Sequence, residues 1–205
     1  MISEVIHSIV AKPAVYNAVQ WLAGLDYTRR RLQPHYAQTA GRVALDVGAG
    51  TGLYLSCFPE SARYLWLDND PQKLSGFRAR GAARLPAMLG DATRLGLKDK
   101  SVDYATCTTV THHLTDMQLS AFVHELARVV RCKLILQDAV QSNGWVSRLL
   151  WKYDRGSHPR SVQALLAAIE ARFEIEHVEY YSIYHHYLLL VGIPRPHSGQ
   201  DIGRS

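Results

Sequence analysis

The sequence predicts an α/β domain built on a doubly wound, mostly parallel sheet, and three observations carry that reading. Five short apolar runs alternate with stretches of helical periodicity: RVALDV (42–47), RYLWLD (63–68), PAMLG (86–90), VDYATC (102–107) and KLILQD (133–138). The first of them runs directly into a glycine-rich turn, GAGTG (48–52). The last quarter of the chain changes to two further strand-like runs, FEIEHVEYY and YLLLVG, joined by residues 182–186 and read as a closing antiparallel hairpin.

Each element has its own warrant. Residues 3–40 place Ile6, Ile9, Val10, Val15, Val19 and Leu22 at helical spacing, with Pro13 suited to a first turn, and so predict a helical lead-in. The five apolar runs suit strands covered on both faces, as in a parallel sheet. Between the fourth and fifth, residues 115–130 set Leu119, Phe122, Val123, Leu126, Val129 and Val130 along one stripe, with Thr115 or Asp116 available as cap. A second helix is predicted over 161–172, introduced by His158-Pro159 and capped by Ser161.

Composition narrows the function classes. With 205 residues, 47% hydrophobic and 20% charged, the chain can bury a full core as one domain, and neither repeats nor low-complexity runs are present. Glu4 and Pro13 interrupt what would be a secretory signal, and no apolar stretch reaches membrane-spanning length. Cys57, Cys107 and Cys132 form no CxxC pair, which argues against a disulfide framework or a zinc site and for a cytoplasmic location. A net charge of +5 and the run Arg29-Arg30-Arg31 raise a nucleic-acid reading. Aromatic residues are not interleaved with those basic ones, so nucleic acid is not the expected partner.

The informative segment is Asp46-x-Gly48-x-Gly50-x-Gly52, with Ala49 and Thr51 between the glycines. Glycines are required where the chain turns tightly and a ligand approaches the backbone. The spacing differs from the GxGxxG that opens a helix onto a pyrophosphate, and an acid two residues before the first glycine suits a cationic ligand instead. The helix expected next would offer its N-terminal amides. Asp68, followed by Asn69, ends the next run about 20 residues on, where a carboxylate can hold a ribose diol.

These residues resemble the small class I S-adenosylmethionine-dependent methyltransferases, in particular the methyltransferase-domain group that includes the ubiquinone and menaquinone biosynthesis enzymes. The likeness extends from Val43 to Asp138. It includes Gly90-Asp91-Ala92, similar to that family's adenine-binding turn, THHL (111–114) and the helix ending ELARVVR (125–131). It implies a Rossmann-like fold, S-adenosyl-L-methionine as cofactor with S-adenosyl-L-homocysteine as product, and no metal. It also implies a cofactor site of Asp46, Gly48, Ala49, Gly50, Thr51, Gly52, Asp68, Asn69, Gly90, Asp91, Ala92, Thr108 and Thr109. The chain then divides into a helical lead-in or cap (1–40), a cofactor-binding half (41–138), a substrate-side half (139–195) and a flexible tail (196–205).

Methyl transfer needs alignment of donor and acceptor, with a base only where the acceptor arrives protonated. Candidates for that base follow the fourth strand, among Thr111, His112 and His113, with His113 preferred and His112 assigned to the substrate. Asp138 ends the fifth strand and is expected at the cleft rim, reaching the acceptor or capping residues 143–149. In YDRGSHPRS (153–161), Tyr153, Arg155 and Arg160 are candidates to bind substrate, the arginines as an anion clamp, and His158 is a further base. Tyr54 could face the sulfonium. YYSIYHHY (180–187) reads as sheet packing rather than a stacking platform.

The residues TTVTHH lack the Asn/Asp-Pro-Pro-aromatic signature of exocyclic-amine nucleic-acid methyltransferases. The expectation is therefore methyl transfer to an O, N or C nucleophile of a small molecule of natural-product, quinone or glycan type. The partner is that small-molecule acceptor, and a homodimer is compatible with it. Alternatives are a cofactor-binding regulatory subunit without turnover, an RNA or tRNA methyltransferase, and a nicotinamide-dependent oxidoreductase, the last disfavoured by the glycine spacing.

Overall fold

Apolar alternation builds one sheet covered on both faces. The computed structural model describes residues 24–141, 151, 158–183 and 185–196. Its elements are α1 (Leu25–Tyr36), β1 (Val43–Val47), β2 (Arg63–Asp68), α2 (Pro71–Phe77), β3 (Ala87–Leu89), β4 (Val102–Thr108), α3 (Asp116–Val129), β5 (Val130–Val140), α4 (Val162–Glu170), β6 (Phe173–Ser182) and β7 (His186–Pro194). The strands form a seven-stranded sheet in the order β3-β2-β1-β4-β5-β7-β6. β3, β2, β1, β4 and β5 pair in parallel, and β7 lies antiparallel between β5 and β6. This is the mostly parallel α/β sheet with one antiparallel strand in a C-terminal hairpin that the sequence predicts.

Strand order reverses between β1 and β4, which leaves a crevice at the carboxyl ends of the strands. Successive side chains serve opposite faces. Leu45, Val47, Ala105, Cys107, Leu134 and Leu136 pack with Phe122, Val123 and Leu126 of α3 on one side. Tyr104 and Ile135 pack with Leu32 and Tyr36 of α1 and with Tyr181 and Leu189 on the other. Tyr64, Trp66 and Phe77 form a smaller cluster beneath the glycine turn.

Two boundaries differ from expectation. The chain passes from α3 into β5 with no loop, so the strand begins at Val130 instead of Lys133. The junction holds because Lys100 Nζ donates to the carbonyls of Ala127 and Val130, at 2.9 and 2.8 Å. Thr115 caps α3 with a full capping box shared with Gln118. Within the described part of the lead-in the helix begins only at Leu25, after Gly24 in the left-handed region at φ 91°. A Cβ on Gly24 would lie 2.6 Å from Ile183 Cδ1, so the chain enters α1 against the hairpin only with glycine there. The remainder of the lead-in and the tail beyond residue 196 lie outside the described residues.

α1 meets β6 rung by rung. Tyr27 and Tyr181 place their ring centroids 5.7 Å apart, Arg31 pairs with Glu179, and His35 and His177 lie 4.9 Å apart. Steps of four along the helix thus match steps of two along the strand, because each advances about 6 to 7 Å.

Candidate active site

β1 delivers the chain to the crevice and the three glycines turn it, at φ 68° for Gly48, 56° for Gly50 and 75° for Gly52. Their reasons differ. A Cβ on Gly48 would stand 2.3 Å from Val110 Cγ2, and one on Gly52 would stand 2.6 Å from Phe77 Cδ2, so both are packing requirements. A Cβ on Gly50 would meet nothing nearer than the Gly48 carbonyl oxygen at 4.0 Å, so Gly50 is the one that faces open space. The expected helix after the turn is absent. Leu55–Cys57 makes a single 3-10 turn, and Pro59 stands before β2 can begin at Arg63. The segment after this loop therefore offers it no α-helix N-terminus.

The loop is held from below. Trp66 Nε1 donates to the Gly50 carbonyl at 2.9 Å, and the Gly50 amide donates to Asp68 Oδ2 at 2.9 Å. Asp70 N donates to Asp68 Oδ1 at 3.0 Å. Each Asp68 oxygen thus carries one donor and keeps a second lone pair. Arg29 of α1 donates twice to the Leu53 carbonyl, at 3.0 and 2.5 Å, which ties the helix to the loop. Of the basic run, then, Arg29 and Arg31 are engaged within the fold and Arg30 is exposed over Tyr27.

Asp46 is buried at the base of the cleft. It accepts from Tyr64 Oη at 2.8 Å and Thr106 Oγ1 at 2.9 Å. Burial pushes its carboxyl up to about 6, with those hydrogen bonds opposing and the nearby Asp68 adding to the rise. Asp46, Gly48, Ala49, Gly50, Thr51, Leu53, Tyr54, Thr108 and Thr109 line one small cleft. Thr108 Oγ1 meets Tyr36 Oη at 3.0 Å. Thr109 adopts φ 57°, a conformation costly for a β-branched residue and typical of functional sites. At the far side Gly90 N donates to the Asp68 carbonyl at 3.0 Å. Asp91 is exposed and folds back onto Thr93 N and Oγ1, both at 2.8 Å, which holds its carboxyl below the usual range. Asn69 is exposed and Ala92 half-buried beside these groups.

The catalytic candidates separate. His113, the preferred base, is exposed, whereas His112 is buried. The cause is the 3-10 turn Thr111–His113, which is drawn inward by Asp138. Asp138 is fully buried and reaches no rim. Its Oδ2 accepts from Thr111 N and Oγ1, each at 2.5 Å, and from His112 N at 3.3 Å. Its Oδ1 meets His112 Nδ1 at 2.5 Å and accepts from Ala139 N at 2.7 Å. Burial alone would raise this carboxyl, but the His112 ring and these hydrogen bonds hold it below the usual range.

Arg160 is no anion clamp. Its guanidinium donates to the carbonyls of Thr111 at 2.8 Å, Leu114 at 2.6 Å and His158 at 3.3 Å, and twice to Asp116 Oδ1. His158 is half-buried and its amide donates to the His112 carbonyl at 3.0 Å. Tyr153, Arg155 and the 143–149 segment lie outside the described residues. Tyr181 and Tyr187 stack at 5.1 Å, and Tyr181 also lies in the core under α1.

Sequence reasoning passed over Tyr36, Tyr64, Trp66 and Thr106, which hold the cleft floor. For the last three the signal was their place on buried strands beside the motif. Gln137 was also missed. It is buried at the carboxyl end of β5, where its carbonyl accepts from the Thr109 amide at 2.8 Å.

Residues 45–133 match the protein family described as "Methyltransferase domain". Over this segment the chain is similar to methyltransferase domains. The matched segment spans the glycine loop, Asp68, the Gly90 turn and the Thr111–His113 turn, whereas Tyr36, Gln137 and Asp138 lie outside it. An uncharacterised methyltransferase of Mycobacteroides abscessus is 32% identical over 96 residues, covering 44% of this chain and 36% of that protein. The chain thus spans little more than a third of that curated relative.

Solved structures share the fold of this chain. A Haloferax volcanii protein described as a candidate methyltransferase, solved in complex with the Trm112 methyltransferase activator, superposes with TM-score 0.76 at 16% identity, covering 98% of this chain and all of that one. Magnesium protoporphyrin IX methyltransferase of Synechocystis PCC 6803, with bound S-adenosylhomocysteine, gives 0.67 at 18% identity over 83% and 82%. A Bacillus halodurans protein described as a candidate methyltransferase gives 0.69 at 17% identity over 80% and 97%.

Proposed function

We propose that this chain transfers a methyl group from S-adenosyl-L-methionine to an O, N or C nucleophile of a small molecule. One observation carries the reading. Gly50, the motif glycine with open space above it, donates its amide to Asp68 and lines one cleft with Asp46 at the point where strand order reverses. Such a cleft fits a ligand with a cationic end and a ribose. Asp46 would hold the ammonium of the methionine moiety and Asp68 the ribose diol through its remaining lone pairs. Gly90, Asp91 and Ala92 would lie along the adenine, with Asn69, Thr51, Thr108 and Thr109 beside them. The cofactor, when bound, supplies an electrophilic methyl on a sulfonium. The chain's own residues hold that cationic donor and exclude water around it.

His112 is the base candidate whose ring is oriented, because Asp138 Oδ1 meets its Nδ1 at 2.5 Å. Asp138 is then a positioning residue. The three cysteines are free thiols, which supports a reducing, cytoplasmic setting. No helix among the described residues is long and apolar enough to cross a membrane.

The test is calorimetric titration of S-adenosyl-L-methionine, and separately of NADH, into wild type and Asp68→Ala. Micromolar binding of the sulfonium compound, weakened by about 1 to 3 kcal/mol in the variant, supports the reading. No binding, or affinity unchanged by the substitution, overturns it. Release of S-adenosylhomocysteine across a panel of small acceptors then identifies the substrate. The panel is run with and without a Trm112-type protein, because the Haloferax volcanii neighbour was solved with one.

A further inference from the structure

Away from the cleft, the third rung of the α1–β6 ladder has a composition of its own. His35, His177 and Glu179 offer ligand atoms that all lie within 4.8 Å of one another. We propose that these three side chains bind one borderline transition-metal dication, of which Zn2+ is the type case.

The donor set suits such an ion. Two imidazoles and one carboxylate are three protein ligands that leave a position for water. The backbone already places them. His177 and Glu179 stand two residues apart on β6 and so project from the same face of the strand. His35 approaches from the last turn of α1, held in register by the Tyr27–Tyr181 and Arg31–Glu179 rungs. Metal–ligand bonds of about 2.0 to 2.2 Å need the donors somewhat closer than they stand, and side-chain rotation supplies the closure, because His177 is exposed.

The carboxylate is oriented for the task. Glu179 Oε1 accepts from Arg31, while Oε2 faces His177 Nε2 at 3.9 Å. Arg31 thus fixes the direction of the remaining oxygen, as partners of metal-binding carboxylates do. Lys133 of β5 is engaged by Glu176 at 2.8 Å. β6 is four strands from β1, roughly 19 Å at the usual strand spacing, so the ion would clamp α1 to the sheet edge and take no part at the cleft.

The experiment uses the tag-free full chain, stripped with chelator and dialysed, titrated with Zn2+ against a competing indicator and with Co2+ by visible absorption. One equivalent should bind, and the thermal midpoint should rise with zinc concentration. His177→Ala and Glu179→Gln should each weaken zinc more than about tenfold, whereas His124→Ala, on the exposed face of α3, should leave it unchanged. Affinity should fall as pH drops below about 6.5, where free imidazoles protonate. Absence of saturable binding overturns the proposal, as does binding indifferent to His177→Ala. S-adenosyl-L-methionine titrated into the same variants reads the cleft separately, so failure of one site is not mistaken for failure of the other.

Discussion

His112 Nδ1 lies 2.5 Å from Asp138 Oδ1, with both residues buried and the same carboxylate also gripping the backbone of the Thr111–His113 turn. Replacing Asp138 by Asn puts an amide among donors that all point inward. Asp138→Asn should lower unfolding free energy by about 2 to 4 kcal/mol in urea titrations at pH 7. The wild-type carboxyl titrates below its unfolded value. Its contribution is therefore complete above the ordinary carboxylate range and fades as pH falls through its folded pKa. The variant should lack that part of the acid sensitivity.

Asp46 behaves oppositely. Its folded pKa of about 6 exceeds the ordinary 3.8, so the folded state binds the proton more tightly. Stability should fall as pH rises from about 4 to about 6 and stay lowered above, by about 3 kcal/mol. Asp46→Asn removes this slope, because Tyr64 and Thr106 hydroxyls can donate or accept. Unfolding at pH 5 and pH 8 should show the variant gaining relative to wild type at the higher pH, while its affinity for S-adenosyl-L-methionine drops.

The glycines should part company under substitution. Gly48→Ala drives a methyl into Val110 and should cost more stability than Gly50→Ala, with Val110→Ala restoring part of the loss. Gly50→Ala carries only the left-handed backbone cost of about 1 to 2 kcal/mol, yet its methyl enters the open side of the loop. Calorimetry should find cofactor affinity hit harder than stability in that variant alone.

Arg160→Lys cannot reproduce a fork that serves three carbonyls and a carboxylate. A loss of about 1 to 3 kcal/mol in unfolding free energy is expected. Binding of inorganic phosphate or small carboxylates, measured in parallel, should not respond.

Much of this was legible in the sequence, for physical reasons. Strands such as RYLWLD are buried enough to read as continuous apolar runs, and Thr115 and Ser161 act as the caps their positions suggest. The glycine motif announces its own turn because few other residues tolerate that backbone. What escaped was tertiary. Nothing local says that Pro59 leaves room for only a 3-10 turn after Gly52, or that α3 becomes β5 without a loop. That His112 turns inward and His113 outward depends on which side of one short turn faces a carboxylate many residues away. Arg160 looked available because its acceptors are main-chain carbonyls, which no sequence pattern marks.

The matched advance of α1 and β6 limits how this edge can change length. Deleting one residue between Tyr27 and His35 rotates everything beyond it by about 100°, carrying His35 off the face that meets His177. One residue lost from β6 between His177 and Tyr181 flips the rest of the strand to its other side. Insertions or deletions that keep the ladder must therefore preserve a whole number of turns in the helix or an even step in the strand.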